Sequence, residues 1–116
     1  MKIEHLALAV PDPEASRAFY LETIGLDARA VEQEWGFELH FADGFMMALI
    51  RDEPIPTDFI ERVHFGAQLA GREDVATTRE RLRLAGVREV EWCDEPDYVS
   101  VKVADPDGYV IELYYE

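Results

Sequence analysis

Two histidines and a glutamate, residue types that hold divalent metals, stand at positions related by an internal repeat. The stretch His5-Leu6-Ala7-Leu8 is echoed 59 positions later by a stretch that begins with His64, so both copies keep a histidine. Glu112 lies within an apolar segment, where a carboxylate is costly to bury unless it is paired or bound to a metal. The sequence therefore predicts a metal site with three protein ligands, namely His5, His64 and Glu112.

A second echo shows which ligand the first copy lacks. The octapeptide that begins with Asp43-Gly44 recurs 64 positions later, without a gap, as the octapeptide that begins with Asp107-Gly108. Its one drastic difference sets Ala48 against Glu112. The chain is thus an internal duplication of one half-domain, with a histidine in both copies and a carboxylate in the second copy.

Each copy has the residue pattern of one βαβββ module. Alternating apolar residues predict the strands, while Asp12 and Gly25 suit the two ends of the first helix and Gly86 suits the end of the second. The first module is predicted over about 1–52, with strands over 3–10, 27–32, 35–41 and 45–51. A linker over 53–60 precedes the second module over about 61–116, with a strand over 62–69, a helix over 73–84 and strands over 87–92, 98–104 and 109–115.

These elements predict an α+β fold whose two modules form an open barrel-like cup. A four-stranded sheet with one helix covers one face, so the other face must be buried against the duplicate half. Side chains alternate along a strand, which assigns Val99, Val101 and Val103 to the helix layer. The small residues Ala7 and Gly66 are expected to leave room for a ligand beside the histidines. The side chains assigned to the trough inside the cup are His5, Ala7, Glu38, His40, Ala48, His64, Gly66, Gln68, Tyr98, Ser100, Lys102, Glu112 and Tyr114.

Composition bounds the class of protein. A chain of 116 residues is expected to form one domain, and its net charge of −14 opposes phosphate backbones and anionic lipid. We therefore expect no nucleic-acid or membrane partner. No signal peptide is recognisable, and one cysteine, Cys93, permits no internal disulfide, which together predict a cytoplasmic protein. The acidic neighbours of Cys93 are predicted to raise the pKa of its thiol and to keep it unreactive.

Both ends of the sequence resemble the vicinal oxygen chelate superfamily, which contains glyoxalase I, bleomycin-resistance proteins, fosfomycin thiol transferases and extradiol dioxygenases. The resemblance covers essentially the whole chain. It is carried by Ile3-Glu4-His5-Leu6-Ala7-Leu8-Ala9-Val10, Phe19-Tyr20, Gly25-Leu26 and Asp105-Pro106-Asp107-Gly108-Tyr109-Val110-Ile111-Glu112-Leu113. It implies a divalent metal held by His5, His64 and Glu112, a small-molecule substrate, and a homodimer whose subunits can share the site.

The missing ligand separates the chemistries of this superfamily. Four-ligand members such as glyoxalase I place a ligand where this chain has Ala48, and a methyl group cannot ligate a metal. Three ligands leave about half of an octahedral shell open and favour Fe(II) or Mn(II), with Zn(II) or Ni(II) as alternatives. We therefore expect a dioxygenase-like enzyme that chelates adjacent substrate oxygens, with a glyoxalase-like lyase or isomerase as the alternative. The predicted catalytic groups are His40, Lys102 and Tyr114, and the predicted substrate-binding groups are Glu38, Gln68 and Ser100.

Two further members of the superfamily offer alternatives. Fosfomycin thiol transferases also use two histidines and a glutamate, but they need cationic groups for a phosphonate. Here the segment 89–97 is acidic and Lys102 is the sole cation expected in the cavity, which disfavours that reaction. A bleomycin-resistance-like protein that binds a cationic drug without metal suits the charge of −14, yet it has no need of the complete metal-ligand set.

Overall fold

The protein folds into two compact units, Met1–Ile55 and Pro56–Glu116, in a computed structural model that describes residues 1–53, 55–60 and 62–116. Pro54, in the predicted linker, and Glu61 lie outside the described residues. The first unit contains β1 (His5–Val10), α1 (Pro13–Ala18), β2 (Ala28–Gln33), β3 (Gly36–Phe41) and β4 (Met46–Arg51). The second unit contains α2 (Thr57–Ile60), β5 (His64–Gln68), α3 (Arg72–Leu84), β6 (Glu89–Glu95), β7 (Tyr98–Ala104) and β8 (Val110–Tyr115).

The two units contain sheets of the same topology. The strand order is β1-β4-β3-β2 in the first unit and β5-β8-β7-β6 in the second. In each sheet the first strand of the module runs parallel to the last, and the remaining pairs are antiparallel. The predicted α+β fold with two βαβββ modules is therefore confirmed.

The first helix begins and ends at the residues that the sequence indicates. Asp12 caps α1 because its carboxylate accepts a hydrogen bond from the backbone amide of Ala15, at 3.2 Å. After α1 the chain continues in wider π-helical turns over Phe19–Ile24 and ends at Gly25, whose φ of 86° is left-handed. The helical segment packs on β3 and β4. Its contacts bury Tyr20 and Ile24 together with the strand residues Leu39, Met47 and Leu49.

The second module builds its core in the same way. Helix α3 packs on β7 and β8, where Val75 and Leu82 of the helix are buried. The assignment of alternate residues of β7 to the helix layer is confirmed, because Val99, Val101 and Val103 are all buried. Each sheet therefore has a covered apolar face and, on its other side, the face that bears the predicted site residues.

Two of the predicted element boundaries were wrong in detail. The first strand begins at His5 rather than at residue 3, and Ile3 is 88% exposed. The predicted linker contains the one-turn helix α2. Strand β6 starts later than expected because the amide of Val87 still donates to the carbonyl of Leu82, which holds the chain at the end of α3. In the described part of the chain, no helix has the length and apolar character that a bilayer span requires.

Candidate metal centre

Glu112 lies in the centre of the second sheet. It is on β8, which runs between β5 and β7, and its cross-strand neighbours are Gly66 on one side and Lys102 on the other. Its side chain is 12% exposed. A carboxylate this well covered needs partners of its own, since burial without them disfavours the charged form.

His64 provides one of these partners. It is the first residue of β5, and its Nε2 lies 3.4 Å from Oε2 of Glu112. The imidazole is 46% exposed, so it is accessible to a ligand from solvent. The structure therefore brings together two of the three predicted metal ligands within one sheet.

Tyr98 provides the other partner, and it was missed among the predicted site residues. Its hydroxyl donates a hydrogen bond to Oε1 of Glu112. Strand alternation had already placed Tyr98 on the same face as Ser100 and Lys102, and the length of a tyrosine side chain was the signal that could have found the contact. Burial is the largest cause that raises the pKa of Tyr98, and its hydrogen bond to Glu112 is the next. Tyr98 therefore stays a neutral donor.

The charge state of Glu112 follows from these neighbours. Partial burial acts to raise the pKa of its carboxyl group. The hydrogen bond from Tyr98, the nearby hydroxyl of Ser100, the positive charge of Lys102 and the proximity of His64 together outweigh burial, so the pKa of Glu112 lies below its usual value. Glu112 is consequently a carboxylate at neutral pH, the form that ligates a metal.

The predicted catalytic groups of the second module are close to Glu112 but already engaged. Lys102 is the cross-strand neighbour of Glu112, yet its Nζ lies 3.1 Å from Oε1 of Glu91. The ring of Tyr114 packs against that of Tyr98, with 6.2 Å between the ring centroids. The expected space beside Gly66 is filled by a side chain, because a Cβ atom there would meet Cε1 of Tyr114 at 3.1 Å.

The two predicted substrate-binding residues of this sheet differ in accessibility. Gln68 is exposed at the end of β5, opposite Tyr114. Ser100 is fully buried, and its Oγ makes no hydrogen bond of ordinary geometry with the described residues. Gln68 thus presents a polar group at the surface, whereas Ser100 is not accessible to a substrate in this structure.

Cys93 lies on β6, opposite Ser100 of β7, and its side chain is on the same face of the sheet. The pKa of the Cys93 thiol is raised, and burial is the largest cause. Smaller contributions come from the negative charges of Glu95, Glu91, Asp94 and Glu112. The predicted direction of this shift is confirmed. The thiol stays protonated near neutral pH, which makes it a poor nucleophile and a poor metal ligand.

The remaining predicted residues lie in the first module. His5 begins β1 and is exposed, and Ala48 occupies the central position of β4. Glu38 accepts a hydrogen bond from the side-chain amide of Gln33 at 2.8 Å and lies 3.7 Å from Nε2 of His40. His40 also lines an open depression of about 370 Å³, whose other lining residues are Asp27, Ala28, Arg29, Phe41 and Ala42.

The chemistry of the His64–Glu112 pair fits a divalent metal. An imidazole nitrogen and an ionised carboxylate are donors suited to Fe(II), Mn(II) and Zn(II). Within residues 1–53, 55–60 and 62–116, no group of three histidine, cysteine, aspartate or glutamate side chains is close enough together to hold a metal. What the described residues contain is a two-ligand half-site in the second module.

The fold resembles that of several solved structures. A glyoxalase/dioxygenase from Nostoc punctiforme superposes with a TM-score of 0.80 at 20% identity, covering 99% of this chain and 90% of that chain. The genomically encoded fosfomycin resistance protein FosX from Listeria monocytogenes superposes with a TM-score of 0.78 at 19% identity, covering 100% of this chain and 93% of that chain. These likenesses confirm the fold.

Sequence comparison gives the family. Residues 2–113 match the family model of the Glyoxalase/Bleomycin resistance protein/Dioxygenase superfamily. The chain belongs to this superfamily, as its opening and closing motifs predict. It is also 29% identical over 116 residues to the glutathione transferase FosA from Serratia marcescens. The match covers 97% of this chain and 79% of that protein.

Proposed function

We propose that this protein is a divalent-metal-dependent enzyme that binds a small substrate through two adjacent oxygen atoms. The single observation that carries the proposal is the contact of His64 with Glu112, at 3.4 Å on an accessible face of the second sheet. Membership of a superfamily that contains glyoxalases and dioxygenases supports it. His5 is retained as the third ligand because the internal repeat and the resemblance both select it.

The metal would supply Lewis acidity for negative charge that develops on the substrate oxygens. The residues of this chain would have separate roles around it. His64 and Glu112, which lie 3.4 Å apart, would hold the ion, and Tyr98 donates a hydrogen bond to the carboxylate of Glu112. Tyr114 and Lys102 are proposed to orient a developing oxyanion, which for Lys102 requires release from Glu91. His40 is proposed as a base.

Among the reactions of the superfamily, we favour a dioxygenase-like reaction. Two histidines and one carboxylate leave coordination positions open, and this donor set is typical of non-haem Fe(II) oxygenases. Fe(II) is therefore the proposed metal, and Mn(II) has the same ligand preference. Ala48 argues against a glyoxalase-like site with four ligands, because its methyl group offers no donor atom.

Glutathione transfer is the second candidate, favoured by the 29% identity to the glutathione transferase FosA. Attack by a thiol on an anionic substrate would need positive charge beside the metal. Lys102 is close to Glu112, but its ammonium group is paired with Glu91 at 3.1 Å. For this reason glutathione transfer ranks below the dioxygenase-like reaction.

Metal uptake tests the proposed function. We expect the protein purified without chelator to bind close to one equivalent of Fe(II) or Mn(II), measured by elemental analysis and titration calorimetry. His64→Ala and Glu112→Gln should each weaken binding at least 100-fold, because each removes a donor atom. Glu38→Gln is the matched control, since it neutralises a carboxylate on the equivalent face of the first sheet and should change affinity less than threefold. Equal affinities for Glu112→Gln and Glu38→Gln would exclude the proposed ligand set.

The reaction is tested on the protein loaded with Fe(II). Oxygen consumption with catechols is expected, and conjugation of glutathione to an epoxide is the outcome that would favour the second candidate. Binding of a cationic drug by protein that takes up no metal would instead indicate a non-catalytic binding protein. We also propose a homodimer, which sedimentation velocity would detect as a species of twice the chain mass.

A further inference from the structure

The two oxygens of the Glu112 carboxylate have different partners. Oε1 accepts the hydrogen bond from the hydroxyl of Tyr98, and Oε2 lies 3.4 Å from Nε2 of His64. The carboxylate is therefore held between a donor on β7 and an imidazole on β5, with its own strand between them. Its side chain is 12% exposed, so little of it is open to solvent.

We propose that Tyr98 is a positioning residue for the metal centre, which makes Glu112 a ligand through one oxygen. The inference rests on the proposed metal-binding function. Because the hydroxyl of Tyr98 engages Oε1, Oε2 is the oxygen presented on the side of His64. A carboxylate that binds through one oxygen occupies one coordination position instead of two, and the position saved stays available to a substrate oxygen.

The surroundings of Tyr98 suit such a role. Its ring packs against that of Tyr114, the cross-strand neighbour of the buried Ser100. A tyrosine packed against a neighbouring ring loses less side-chain freedom on binding Glu112, so its hydrogen bond orders the carboxylate at little further entropic cost. Hydrogen bonds to metal-ligating carboxylates typically contribute 10- to 100-fold to metal affinity or activity.

The first module has no such arrangement at the repeat-related position. Glu34 takes the place of Tyr98 and is exposed in the turn between β2 and β3. Ala48 takes the place of Glu112 and has no carboxylate to orient. The tyrosine and the carboxylate that it contacts thus occur together in the second module, as expected if one serves the other.

The variant Tyr98→Phe tests this inference, because it removes the hydroxyl and keeps the ring. We expect the affinity for Mn(II) to fall about 10- to 100-fold in titration calorimetry. We also expect the visible absorption spectrum of Co(II) bound as a substitute to change, because its intensity reports coordination number. Tyr115→Phe is the matched control, since Tyr115 follows Tyr114 at the end of β8 and is exposed. Removing its hydroxyl should leave both readouts at their wild-type values. Unfolding of the metal-free variants by urea shows whether Tyr98→Phe has damaged the fold.

The outcomes separate this inference from the proposed function. If the wild type binds metal and Tyr98→Phe binds it equally tightly with the same spectrum, Tyr98 has no positioning role and the metal site stands. If the wild type binds no metal, the proposed function fails and the role of Tyr98 fails with it. Should Tyr98→Phe not fold, 3-fluorotyrosine introduced at position 98 keeps the hydroxyl and alters its donor strength. An unchanged Co(II) spectrum in that protein would overturn the inference, and a shifted spectrum would support it.

Discussion

The two sheets have the same topology and equivalent pairings, yet they present different chemistry. In both, the first strand of the module pairs with the last, which pairs in turn with the strand before it. The central cross-strand row reads Ala7, Ala48 and Glu38 in the first sheet, and Gly66, Glu112 and Lys102 in the second. The same backbone arrangement therefore holds a carboxylate beside a histidine in the second module and a methyl group in the first.

This difference shows that a module can keep its fold while its chemistry is lost or gained. Fold depends on the apolar face of each sheet, where Leu39 and Leu49 correspond to Val103 and Leu113 as buried residues. The candidate metal ligand Glu112 lies on the opposite face, where the first module has Ala48, a residue that is 5% exposed. The comparison predicts that substitutions at equivalent positions of the two modules have unequal effects.

The largest expected effect on stability is at Gly36, whose counterpart in the second module is Ser100. Gly36 has a φ of 146°, and a Cβ atom there would lie 1.9 Å from the backbone carbonyl oxygen of Leu49. Backbone strain and overpacking together should make Gly36→Ala lower the free energy of unfolding by about 3 kcal/mol. Urea denaturation followed by circular dichroism measures the change.

Ser100→Ala is the matched substitution in the second module. Ser100 already has a side chain at the equivalent place, and its buried Oγ makes no ordinary hydrogen bond with the described residues. Removing such a hydroxyl should change the free energy of unfolding by less than about 1 kcal/mol, in either direction. A loss at Ser100 as large as that at Gly36 would show that the two modules do not differ here.

Most of the fold could be predicted from the sequence, because its signals are local. Asp12 and Gly25 mark the ends of the first helix, and alternation separates Val101 from Lys102 on the two faces of β7. The late start of β6 could not be predicted in the same way. It depends on the hydrogen bond of Val87 with Leu82, which continues the helix end beyond its glycine.

The candidate site was predictable in its residue types and less so in its contacts. The repeat selects His64 and Glu112, which the structure places 3.4 Å apart. Tyr98 on β7 contacts Glu112 on the adjacent strand β8, but the two residues are not opposite each other in the register. The contact therefore depends on side-chain length and rotamer. Likewise, nothing in the local pattern says that the ring of Tyr114 fills the space beside Gly66.

An intermediate effect on stability is expected when Ala48 and Glu38 of the first sheet are replaced by the residues at the equivalent positions of the second, glutamate and lysine. Ala48→Glu places a carboxylate opposite Glu38, and like charges directly across a strand pair are destabilising by about 0.2–1 kcal/mol. Ala48 is 5% exposed, so burial of the charge adds to this repulsion, and Ala48→Glu should be less stable than the uncharged Ala48→Gln by at least that amount. Adding Glu38→Lys copies the pair of Lys102 with Glu112 and should restore the part of the loss that is due to repulsion.

A double-mutant cycle measures this coupling. Urea unfolding of Ala48→Glu, Glu38→Lys and the double variant gives the coupling energy, for which we expect a favourable value of about 0.5–1 kcal/mol. A coupling energy of zero would mean that this row of the first sheet does not bring the two side chains together as the register indicates. Under the proposed function, Ala48→Glu should also tighten metal binding by adding a fourth donor.

The smallest expected effect concerns how each helix is tied to its sheet by an arginine. Arg79 of α3 donates to both carboxylate oxygens of Glu89 on β6, at 2.7 and 3.0 Å, and lies 4.2 Å from the ring centroid of Trp92. Arg17 of α1 forms its ion pair with Glu14 of its own helix and lies 5.7 Å from the ring centroid of Phe37 on β3. The pair in the second module joins two elements, so its loss should destabilise the fold more. Since Arg79 and Glu89 are each 37% exposed, solvent screens the pair, and we expect Glu89→Gln to lower the free energy of unfolding by less than Ala48→Glu does.

The pH dependence of that effect has a defined sign. The hydrogen bond from Arg79, the largest cause, lowers the pKa of Glu89 from its ordinary value of 4.5. The unfolded state therefore binds the proton more readily, and the stabilisation by Glu89 is complete above that value and is lost as the pH falls through the lowered folded-state pKa. The stability difference between the wild type and Glu89→Gln should be present at neutral pH and vanish in acid. A difference that is independent of pH would show that Glu89 stabilises the second module by packing and not by its charge, and Glu14→Gln gives the smaller reference effect in the first.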